Sequence, residues 1–363
     1  MHVVIAGGGS AGHIEPALAF ADALRRRHPD VRVTALGTER GLDTRLIPAR
    51  GYHLELIPSV PIPRRPTPDL LRVPGRLRRA VAAAAAVLRD GPADVLVGFG
   101  GFVSGPAYLA ARRLGVPIVV HEANPRPGWA NRLGARLTPY VATTWPDTPI
   151  AHARRLGLPI RRSIATLDRP SQRGAACEAF GLEPARPTLL VTGGSQGARR
   201  LNDAAVGAAA HLRAAGVQVL HATGAAHAVT VADPDTSPPY VVMPYLDRMD
   251  LGYAAADLVL CRAGANTVVE LTAVGLPAAY VPLPIGNGEQ ALMAGPVVGA
   301  GGGLMVDDAG CTPEWVTATL TPLLLDPARL AAMGTAAESS GRRDADERLV
   351  CLVLEAVRGR GTA

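Results

Sequence analysis

Two stretches of this chain share the order of a short apolar strand, a glycine-rich turn and a helix. The first is HVVIAGGGSAGHIEPALAF at residues 2–20, and the second is TLLVTGGSQGARRLN at residues 188–202. In parallel α/β sheets such a turn follows the carboxyl end of a strand, and the N-terminus of the next helix stabilises a phosphate there. Because the unit occurs twice, about 186 residues apart, we expect two domains built around it.

The rest of the chain supports two domains. Short apolar runs alternate with longer Ala- and Leu-rich stretches, as in VRVTALG, DVLVGFG and PIVVHEA in the first half and VQVLHATG, YVVMPYL, LVLCRAG and AAYVPLP in the second. This alternation predicts parallel sheets with helices on both faces, and 363 residues exceed what one hydrophobic core usually serves. We therefore predict an α/β protein of two Rossmann-like, doubly wound domains at residues 1–163 and 164–340. A C-terminal helix at 341–363 is expected to pack back on the first domain.

The positive charge of the chain is concentrated in its first half. Every one of the 37 basic residues is Arg. Residues 1–163 hold 23 Arg against 11 Asp and Glu, a net charge of +12, whereas the remaining residues carry a net charge of −6. This asymmetry indicates that the first half meets an anionic surface, either a membrane or a nucleic acid. A solvated Arg-rich surface is the alternative.

One segment of the first half combines cationic and apolar residues. Residues 57–79, IPSVPIPRRPTPDLLRVPGRLRR, interleave six Arg with Pro and aliphatic residues and lead into an Ala-rich helix. An exposed loop and helix of this composition can rest on anionic lipid, where each Arg contributes about 1 kcal/mol. We predict such a contact through Arg64, Arg65, Arg72 and Arg76. A Pro-rich connection with a solvated face is equally compatible with the composition.

The cysteines and the apolar runs predict a cytoplasmic location. The four cysteines show neither CxxC spacing nor neighbouring histidines, so we expect reduced thiols and no structural zinc. The opening MHVVIAGG begins directly as a strand without the basic region of a signal peptide. The apolar run AVAAAAAVL at 80–88 is far shorter than the ~20 residues that cross a bilayer. The protein is expected to lie, at most, on a membrane face.

Each glycine turn also matches a motif from another enzyme class. Gly193, Ser195 and Gly197 spell the G-x-S-x-G of α/β-hydrolases, in which an acid and then a histidine must follow the serine. The only acid between Ser195 and the histidines that follow it is Asp203, which lies in the helix that the turn itself begins, so we reject a hydrolase. The first turn, GGGSAG, matches the dinucleotide fingerprint G-x-G-x-x-G, with Glu39 as the ribose acid. An NAD enzyme has no evident use for the second turn.

Two phosphate-binding turns instead suit a donor with a diphosphate and an acceptor that can also carry one. Two further stretches of the second half would complete a nucleotide-sugar site. CRAGANTVVE begins a helix at the end of a strand, and its Glu270 is placed to bind the two hydroxyls of a ribose. PLPIGNGEQ follows the next strand, and its Glu289 and Gln290 are suited to sugar hydroxyls. Because all these residues follow successive strands, we expect them to line one crevice beside Ser195.

Four long motifs place the chain near a known family. They are GGGSAGHIEPALA, GFGGFVSGPAYLAARRLGVPIVVHEAN, GGSQGARRLN and CRAGANTVVELTAVGLPA with GEQ. In this order and spacing, from residue 3 to about 303, they resemble the MurG branch of glycosyltransferase family 28, the lipid-linked N-acetylglucosaminyltransferases of peptidoglycan synthesis. The resemblance implies a GT-B fold, in which two Rossmann-like domains face each other across a cleft. It implies inverting, metal-independent transfer of GlcNAc from UDP-GlcNAc to the C4 hydroxyl of undecaprenyl-diphospho-muramoyl-pentapeptide, with no cofactor.

The resemblance also implies a role for individual residues. Those expected to contact the donor are Ser195, Gln196 and Arg161 at the phosphates, Glu270 at the ribose, the Leu246 backbone at the uracil, and Glu289 and Gln290 at the GlcNAc hydroxyls. The turn expected to receive the acceptor diphosphate consists of Gly7, Gly8, Gly9, Ser10, Ala11 and Gly12. His13 and Asn124 are expected beside the reacting hydroxyl. His13 is the candidate general base, and a structural histidine that caps the turn is the alternative.

Three positions depart from the family pattern. Glu289 stands where the family usually has Gln, Met293 where it has Asn, and Leu158 where it has the Asn of a G-N-P-V-R stretch. A paralogue that uses another sugar donor or lipid acceptor, and a non-catalytic nucleotide-sugar-binding relative, are therefore the alternatives to the peptidoglycan enzyme. The expected partners are UDP-GlcNAc, the undecaprenyl-linked acceptor and an anionic membrane surface, and not nucleic acid. The expected location is the cytoplasmic face of the cell membrane, as a peripheral protein.

Overall fold

A computed structural model describes residues 1–39, 41–60, 72–194, 196–232, 237–285 and 287–359. Contacts within the chain divide it into two compact units. Unit 1 consists of Met1–Arg161 together with Asp344–Ala363, and unit 2 is Arg162–Arg343. The sequence predicts the corresponding boundaries after residues 163 and 340. Two of the predicted membrane residues, Arg64 and Arg65, and the predicted phosphate contact Ser195 lie outside the described residues.

Unit 1 is built on a parallel sheet of seven strands in the order β3-β2-β1-β4-β5-β6-β7. Its elements in chain order are β1 (His2–Gly7), α1 (Ala11–Arg27), β2 (Arg32–Gly37), α2 (Asp43–Ala49), β3 (His53–Leu56), α3 (Val73–Asp90), β4 (Val95–Gly100), α4 (Ser104–Leu114), β5 (Ile118–Glu122), α5 (Trp129–Ala135), β6 (Val141–Thr143) and β7 (Ala153–Arg155). The strand order reverses between β1 and β4, and ligands of doubly wound sheets bind at the carboxyl ends of such a strand pair.

Unit 2 repeats this plan with six parallel strands in the order β10-β9-β8-β11-β12-β13. The elements that lead to and form its sheet are α6 (Arg162–Ala165), α7 (Arg169–Ala179), β8 (Thr188–Thr192), α8 (Arg199–Gly207), α9 (Ala209–Ala214), β9 (Gln218–Ala222), β10 (Tyr240–Met243), α10 (Met249–Ala255), β11 (Leu258–Cys261), α11 (Ala265–Ala273), β12 (Ala278–Tyr280), α12 (Glu289–Gly299) and β13 (Gly303–Met305). Those that follow the sheet are a 3₁₀ turn (Asp308–Gly310), α13 (Pro313–Trp315), a π-helical turn (Val316–Leu320), α14 (Thr321–Leu324) and α15 (Pro327–Ser340). The reversal here lies between β8 and β11.

The alternation of strand side chains produces a core on each face of the sheet of unit 1. Val3 and Ile5 point to one face, where they pack in a cluster with buried residues of α1. Val4 and Ala6 point to the other face and pack in a cluster with α3 and α4. Helices therefore cover both faces, as the sequence predicted. The predicted architecture of two doubly wound parallel sheets is confirmed.

The last helix of the chain, α16 (Ala345–Gly359), belongs to unit 1. Its buried Leu349 and Val353 lie in the same cluster as α1. Arg26 of α1 donates to the carboxylate of Asp346 at 2.8 Å, a partly buried pair that joins the two helices. The chain therefore leaves unit 1, forms unit 2 and returns.

No helix in the described ranges is both long and apolar enough to span a bilayer.

Candidate active site

The first glycine turn follows β1, the strand at the reversal point of the sheet of unit 1. Gly9 has a φ of +90°, which glycine adopts without strain. A Cβ atom at Gly101, in the loop after β4, would lie 2.5 Å from the carbonyl oxygen of Gly8. The turn is thus held in close backbone contact with the loop of the neighbouring strand, and only glycine fits at that contact.

The amide of Gly9 does not face the expected anion. Its N–H donates to both carboxylate oxygens of Asp43, at 3.0 and 3.1 Å. Ser10, Ala11 and Gly12, which end the turn and begin α1, are partly or fully exposed. The sequence grouped all six turn residues as one diphosphate site, whereas the structure directs the Gly9 amide into the protein.

His13 lies in the first turn of α1, at the wall of a cavity of about 480 Å³. Its Nδ1 atom lies 3.1 Å from the Ser10 hydroxyl oxygen. A Cβ atom at Gly100 would lie 3.3 Å from its Nε2 atom, so the ring packs against the end of β4. Burial lowers the pKa of His13, and the negative charge of Asp43 opposes part of that shift. A lowered pKa leaves the imidazole neutral at pH 7, the form that accepts a proton.

Asn124 lines the same cavity and is fixed through its backbone. The Glu122 carboxylate, at the end of β5, is 2% exposed and accepts the Asn124 N–H at 2.8 Å and the Gly128 N–H at 2.9 Å. It also accepts the side-chain amide of Asn131 at 3.0 Å. The structure therefore brings His13 and Asn124 together, as the sequence expected. Asp43, Glu122 and Asn131 were missed, because an acid or amide in a strand or helix gives no local sign of burial.

The remaining cavity wall is largely apolar. Its apolar side chains are those of Val60, Val73, Leu77, Phe102, Pro106, Leu109, Trp129 and Leu133. Phe102 is 55% exposed and Trp129 is 66% exposed. Arg72 is exposed and Arg76 is partly buried, and both lie at the N-terminal end of α3. Val73 and Leu77 belong to this end of α3 and also line the cavity.

The second glycine turn joins β8 to α8 at the reversal point of unit 2. The Gly194 N–H contacts the Thr192 hydroxyl oxygen at 3.2 Å, and the Gly197 N–H donates to the Gly194 carbonyl at 3.0 Å. A Cβ atom at Gly197 would clash with the Thr223 carbonyl oxygen, which lies in the loop after β9. Gln196 is exposed at this turn. The turn thus takes the form that the sequence predicted, with the first turns of α8 directly behind it.

Glu270 lies in α11, the helix that follows β11. Its side chain is 8% exposed, and the Tyr253 hydroxyl donates to its Oε2 atom at 2.9 Å. The hydrogen bond orients the carboxylate before any ligand binds. Leu246, whose backbone was expected at the uracil, has a buried side chain that packs beside Gly252 of α10.

Gln290 ties together two loops of unit 2. Its side-chain carbonyl oxygen accepts the Ala263 N–H at 3.2 Å and the Leu283 N–H at 2.9 Å. These two amides lie in the loops after β11 and β12. Because the oxygen already accepts two hydrogen bonds, the predicted contact of Gln290 with a sugar would be made by its NH₂ group, which is the donor end of the amide. Glu289 begins α12 and is partly buried, and the side chain of Met293 is buried in the same helix.

Arg161 is the last residue of unit 1 before the chain enters unit 2, and it is partly buried. Within the described ranges, no group of three or more His, Cys, Asp or Glu residues has an arrangement that could hold a metal ion.

Comparisons with known proteins cover both units. Residues 3–143 match the glycosyltransferase family 28 N-terminal domain, and residues 188–349 match the family 28 C-terminal domain. A relative from Streptomyces avermitilis is 62% identical over 361 residues, which is 99% of each chain. It is described as a UDP-N-acetylglucosamine–N-acetylmuramyl-(pentapeptide) pyrophosphoryl-undecaprenol N-acetylglucosamine transferase, as is a Streptomyces coelicolor relative of equal identity and coverage. The crystal structure of Acinetobacter baumannii MurG has a TM-score of 0.75 and 27% identity, and the match covers 98% of this chain and 99% of that one.

Proposed function

The chain belongs to glycosyltransferase family 28, and we propose that it transfers N-acetylglucosamine from UDP-N-acetylglucosamine to the muramoyl sugar of an undecaprenyl-diphosphate-linked acceptor in peptidoglycan synthesis. The observation that carries this proposal is the 62% identity to relatives of that activity across 99% of both chains. The family and the GT-B fold class expected from the sequence are confirmed.

Unit 2 is proposed to bind the donor. The glycine turn after β8 and the N-terminus of α8 would hold the diphosphate through backbone N–H groups, with Ser195, Gln196 and Arg161 as further contacts. Glu270 would accept hydrogen bonds from the two ribose hydroxyls, and the Leu246 backbone would meet the uracil edge. Glu289 and the NH₂ group of Gln290 would contact the GlcNAc hydroxyls.

Unit 1 is proposed to bind the acceptor. The turn from Gly7 to Gly12 would receive its diphosphate, with the exception of the Gly9 amide, which donates to Asp43. His13 and Asn124 line one cavity beside this turn, which supports their proposed role beside a muramoyl sugar attached to that diphosphate. The apolar wall of the cavity suits the prenyl part of such an acceptor.

The reaction follows from these groups. The C4 hydroxyl oxygen attacks the anomeric carbon from the face opposite to UDP, and its proton passes to the Nε2 atom of His13. The bond from the anomeric carbon to the β-phosphate oxygen breaks, and its electron pair leaves with UDP, so that the configuration inverts from α to β. Because negative charge grows on UDP, the fixed N–H donors and Arg161 stabilise the transition state more than the bound substrate.

The surface around the N-terminal end of α3 is proposed to rest on the cytoplasmic face of the membrane. Arg72 and Arg76 lie there beside the apolar cavity wall, whose rim includes the exposed Phe102 and Trp129. Arg64 and Arg65 belong to the same segment of sequence. Cationic and apolar side chains together favour an anionic lipid surface.

Transfer is tested with the purified protein, UDP-GlcNAc and a short-chain lipid-linked muramoyl-pentapeptide acceptor. We expect a β-linked disaccharide product, and we expect it also in the presence of EDTA. UDP-GalNAc and UDP-glucose, offered in parallel, would give much lower rates. Binding of UDP-GlcNAc without turnover would contradict the proposal and favour a non-catalytic relative, and preference for another donor would favour a paralogue.

A further inference from the structure

Asp43 is a buried carboxylate that the proposed reaction does not yet use. It is the first residue of α2, and its side chain is 0% exposed. A buried carboxylate is stable only when hydrogen-bond donors replace its water shell. Its donors therefore indicate which parts of the protein it organises.

Those donors come from the loops that follow two neighbouring strands. The Gly9 N–H, after β1, reaches both carboxylate oxygens at 3.0 and 3.1 Å. The Thr38 N–H and the Thr38 hydroxyl, after β2, each donate to Oδ2 at 3.1 Å. A Cβ atom at Gly8 would lie 3.1 Å from Oδ1, so the glycine turn also packs directly on the carboxylate. Asp43 thus joins the glycine turn after β1 to the loop that follows the neighbouring strand β2.

Asp43 also acts on His13 through space. Burial lowers the pKa of His13, and the charge of Asp43 raises it, against that effect. The other titratable group in the cavity that His13 lines is Glu122, which is bound to the amides of Asn124, Gly128 and Asn131. On α1 itself, Glu15 pairs with Arg50 at 3.3 Å. Asp43 is therefore the carboxylate whose field favours a protonated His13.

We propose that Asp43 is a positioning residue of the acceptor site: its buried carboxylate fixes the glycine turn through the Gly9 N–H, next to the Ser10 whose hydroxyl contacts the His13 ring, and holds a negative charge against that turn. This inference rests on the proposed function, because it gives Asp43 a role in the same transfer. When His13 takes the proton of the C4 hydroxyl it becomes an imidazolium, and a fixed negative charge in a low-dielectric site stabilises that state.

The test removes the negative charge of Asp43 and keeps the shape of its side chain. The His13 pKa is measured by NMR in Asp43→Asn and in the wild type, with its signal among the nine histidines assigned from the spectrum of His13→Gln. We expect the His13 pKa to be lower in Asp43→Asn than in the wild type, because the negative charge that raises it is removed. The acidic limb of the kcat/KM profile should move down by the same amount, and kcat on the plateau should fall about tenfold, since the base is weaker.

Asp94→Asn is the matched control. Asp94 accepts the His2 N–H at 2.7 Å at the opposite, amino-terminal end of β1, so this variant removes a similar charge–amide contact from the same unit. It should leave the His13 pKa and the profile unchanged. An unchanged His13 pKa in Asp43→Asn, or an equal shift in Asp94→Asn, would overturn the inference.

Thr38→Val keeps the proposal testable if Asp43→Asn does not fold. It removes one donor to the carboxylate and retains the charge, so the acceptor KM should rise several-fold while the donor KM and the acidic limb stay in place. Thr38→Ser should restore the acceptor KM, and a wild-type acceptor KM in Thr38→Val would contradict the positioning role. The two proposals fail separately: a wild type without transfer activity contradicts the proposed function, whereas the NMR titration still decides the role of Asp43.

Discussion

The Nδ1 atom of His13 lies 3.1 Å from the hydroxyl oxygen of Ser10, three residues earlier in the same glycine turn. Ser10 immediately precedes α1 and is exposed, whereas the ring of His13 reaches the cavity wall. A hydrogen bond at Nδ1 fixes the ring, and when Nδ1 donates to the Ser10 hydroxyl oxygen, Nε2 is the nitrogen that can accept a proton. The residue expected to bind the acceptor thereby also orients the candidate base.

Replacement of His13 tests its role as the base. His13→Ala should lower kcat by roughly 10²-fold or more, because the C4 hydroxyl then loses its proton acceptor. Ser10→Ala should lower kcat less and should leave the acidic limb of the pH profile in place. UDP binding in unit 2, measured by calorimetry, should be unchanged in both variants. A near-normal kcat in His13→Ala would assign His13 a purely structural role.

The hydrogen bond from Tyr253 to Glu270 predicts how the donor is selected. Tyr253→Phe should raise the KM for UDP-GlcNAc about fivefold with little change in kcat, the effect of about 1 kcal/mol from one hydrogen bond. Tyr280→Phe is the control, because Tyr280 is buried in the same unit and its hydroxyl has no hydrogen-bond partner among the described residues.

Glu270→Ala should abolish the discrimination between UDP-GlcNAc and its 2′-deoxyribose analogue, and persistent discrimination would exclude Glu270 from the ribose site.

The two ends of the Gln290 amide can be tested apart. Gln290→Glu keeps oxygens that accept the Ala263 and Leu283 N–H groups but removes the NH₂ group. UDP binding should then stay within about twofold of the wild type, whereas UDP-GlcNAc binding should weaken by up to about tenfold, which is the range of one lost hydrogen bond. Gln290→Ala should weaken the binding of both. If Gln290→Glu changed the affinity for UDP and the affinity for UDP-GlcNAc by the same factor relative to the wild type, a sugar contact through the NH₂ group would be contradicted.

The sequence predicts the centre of each unit better than its edges. β1 and β8 are fully buried, mostly apolar strands followed by glycine, so their central place in each sheet follows from the pattern alone. β3 and β7 carry mostly exposed or partly buried side chains, and the edge strand β7 consists of Ala153–Arg155, so no apolar run marks them. They form because a neighbouring strand offers hydrogen bonds, which is information that lies elsewhere in the chain.

The candidate site shows the same division between features that a local pattern predicts and features that depend on distant parts of the chain. Glycine spacing identified both turns, because a turn is a local structure. The burial of Asp43 and Glu122 depends on which amides the folded chain brings to them, and each acid alone resembles an ordinary surface residue. The two hydrogen bonds to the Gln290 side-chain oxygen likewise come from loops that lie 7 and 27 residues away. Local sequence therefore predicts which elements form the site, and tertiary contacts decide which side chains support it.

Membrane attachment should depend on the N-terminal end of α3. Arg72→Glu combined with Arg76→Glu should weaken co-sedimentation with phosphatidylglycerol vesicles at least tenfold, since each Arg contributes about 1 kcal/mol near an anionic surface. Arg112→Glu with Arg113→Glu makes the same charge change in the last turn of α4, at the other end of the sheet, and should bind nearly as the wild type does. Adding Arg64→Glu and Arg65→Glu to the first pair should weaken binding further. Equal binding of both double variants would refute the predicted surface.

In each unit, a histidine with no exposed surface should make the stability of that unit depend on pH. His121 of β5 is fully buried, with its Nε2 atom 2.8 Å from the Gly157 carbonyl, and burial lowers its pKa to about 4. His221 of β9 lies 3.0 Å from both the Tyr240 hydroxyl and the Asn202 side-chain oxygen, and burial lowers its pKa to about 4 as well.

Both histidines stay neutral in the folded state down to about pH 4, whereas the unfolded chain binds their protons near pH 6.5. The unfolded state therefore gains protons first as the pH falls, and stability declines from about pH 6.5 toward pH 4. Between pH 7.5 and pH 5.0 the free energy of unfolding should fall by about 2 kcal/mol for each histidine. Hydrogen exchange of β5 and β9, followed by mass spectrometry, reports the two units separately. His121→Gln should flatten the pH dependence of β5 alone and His221→Gln that of β9 alone, and an unaltered slope in either variant would contradict the assignment.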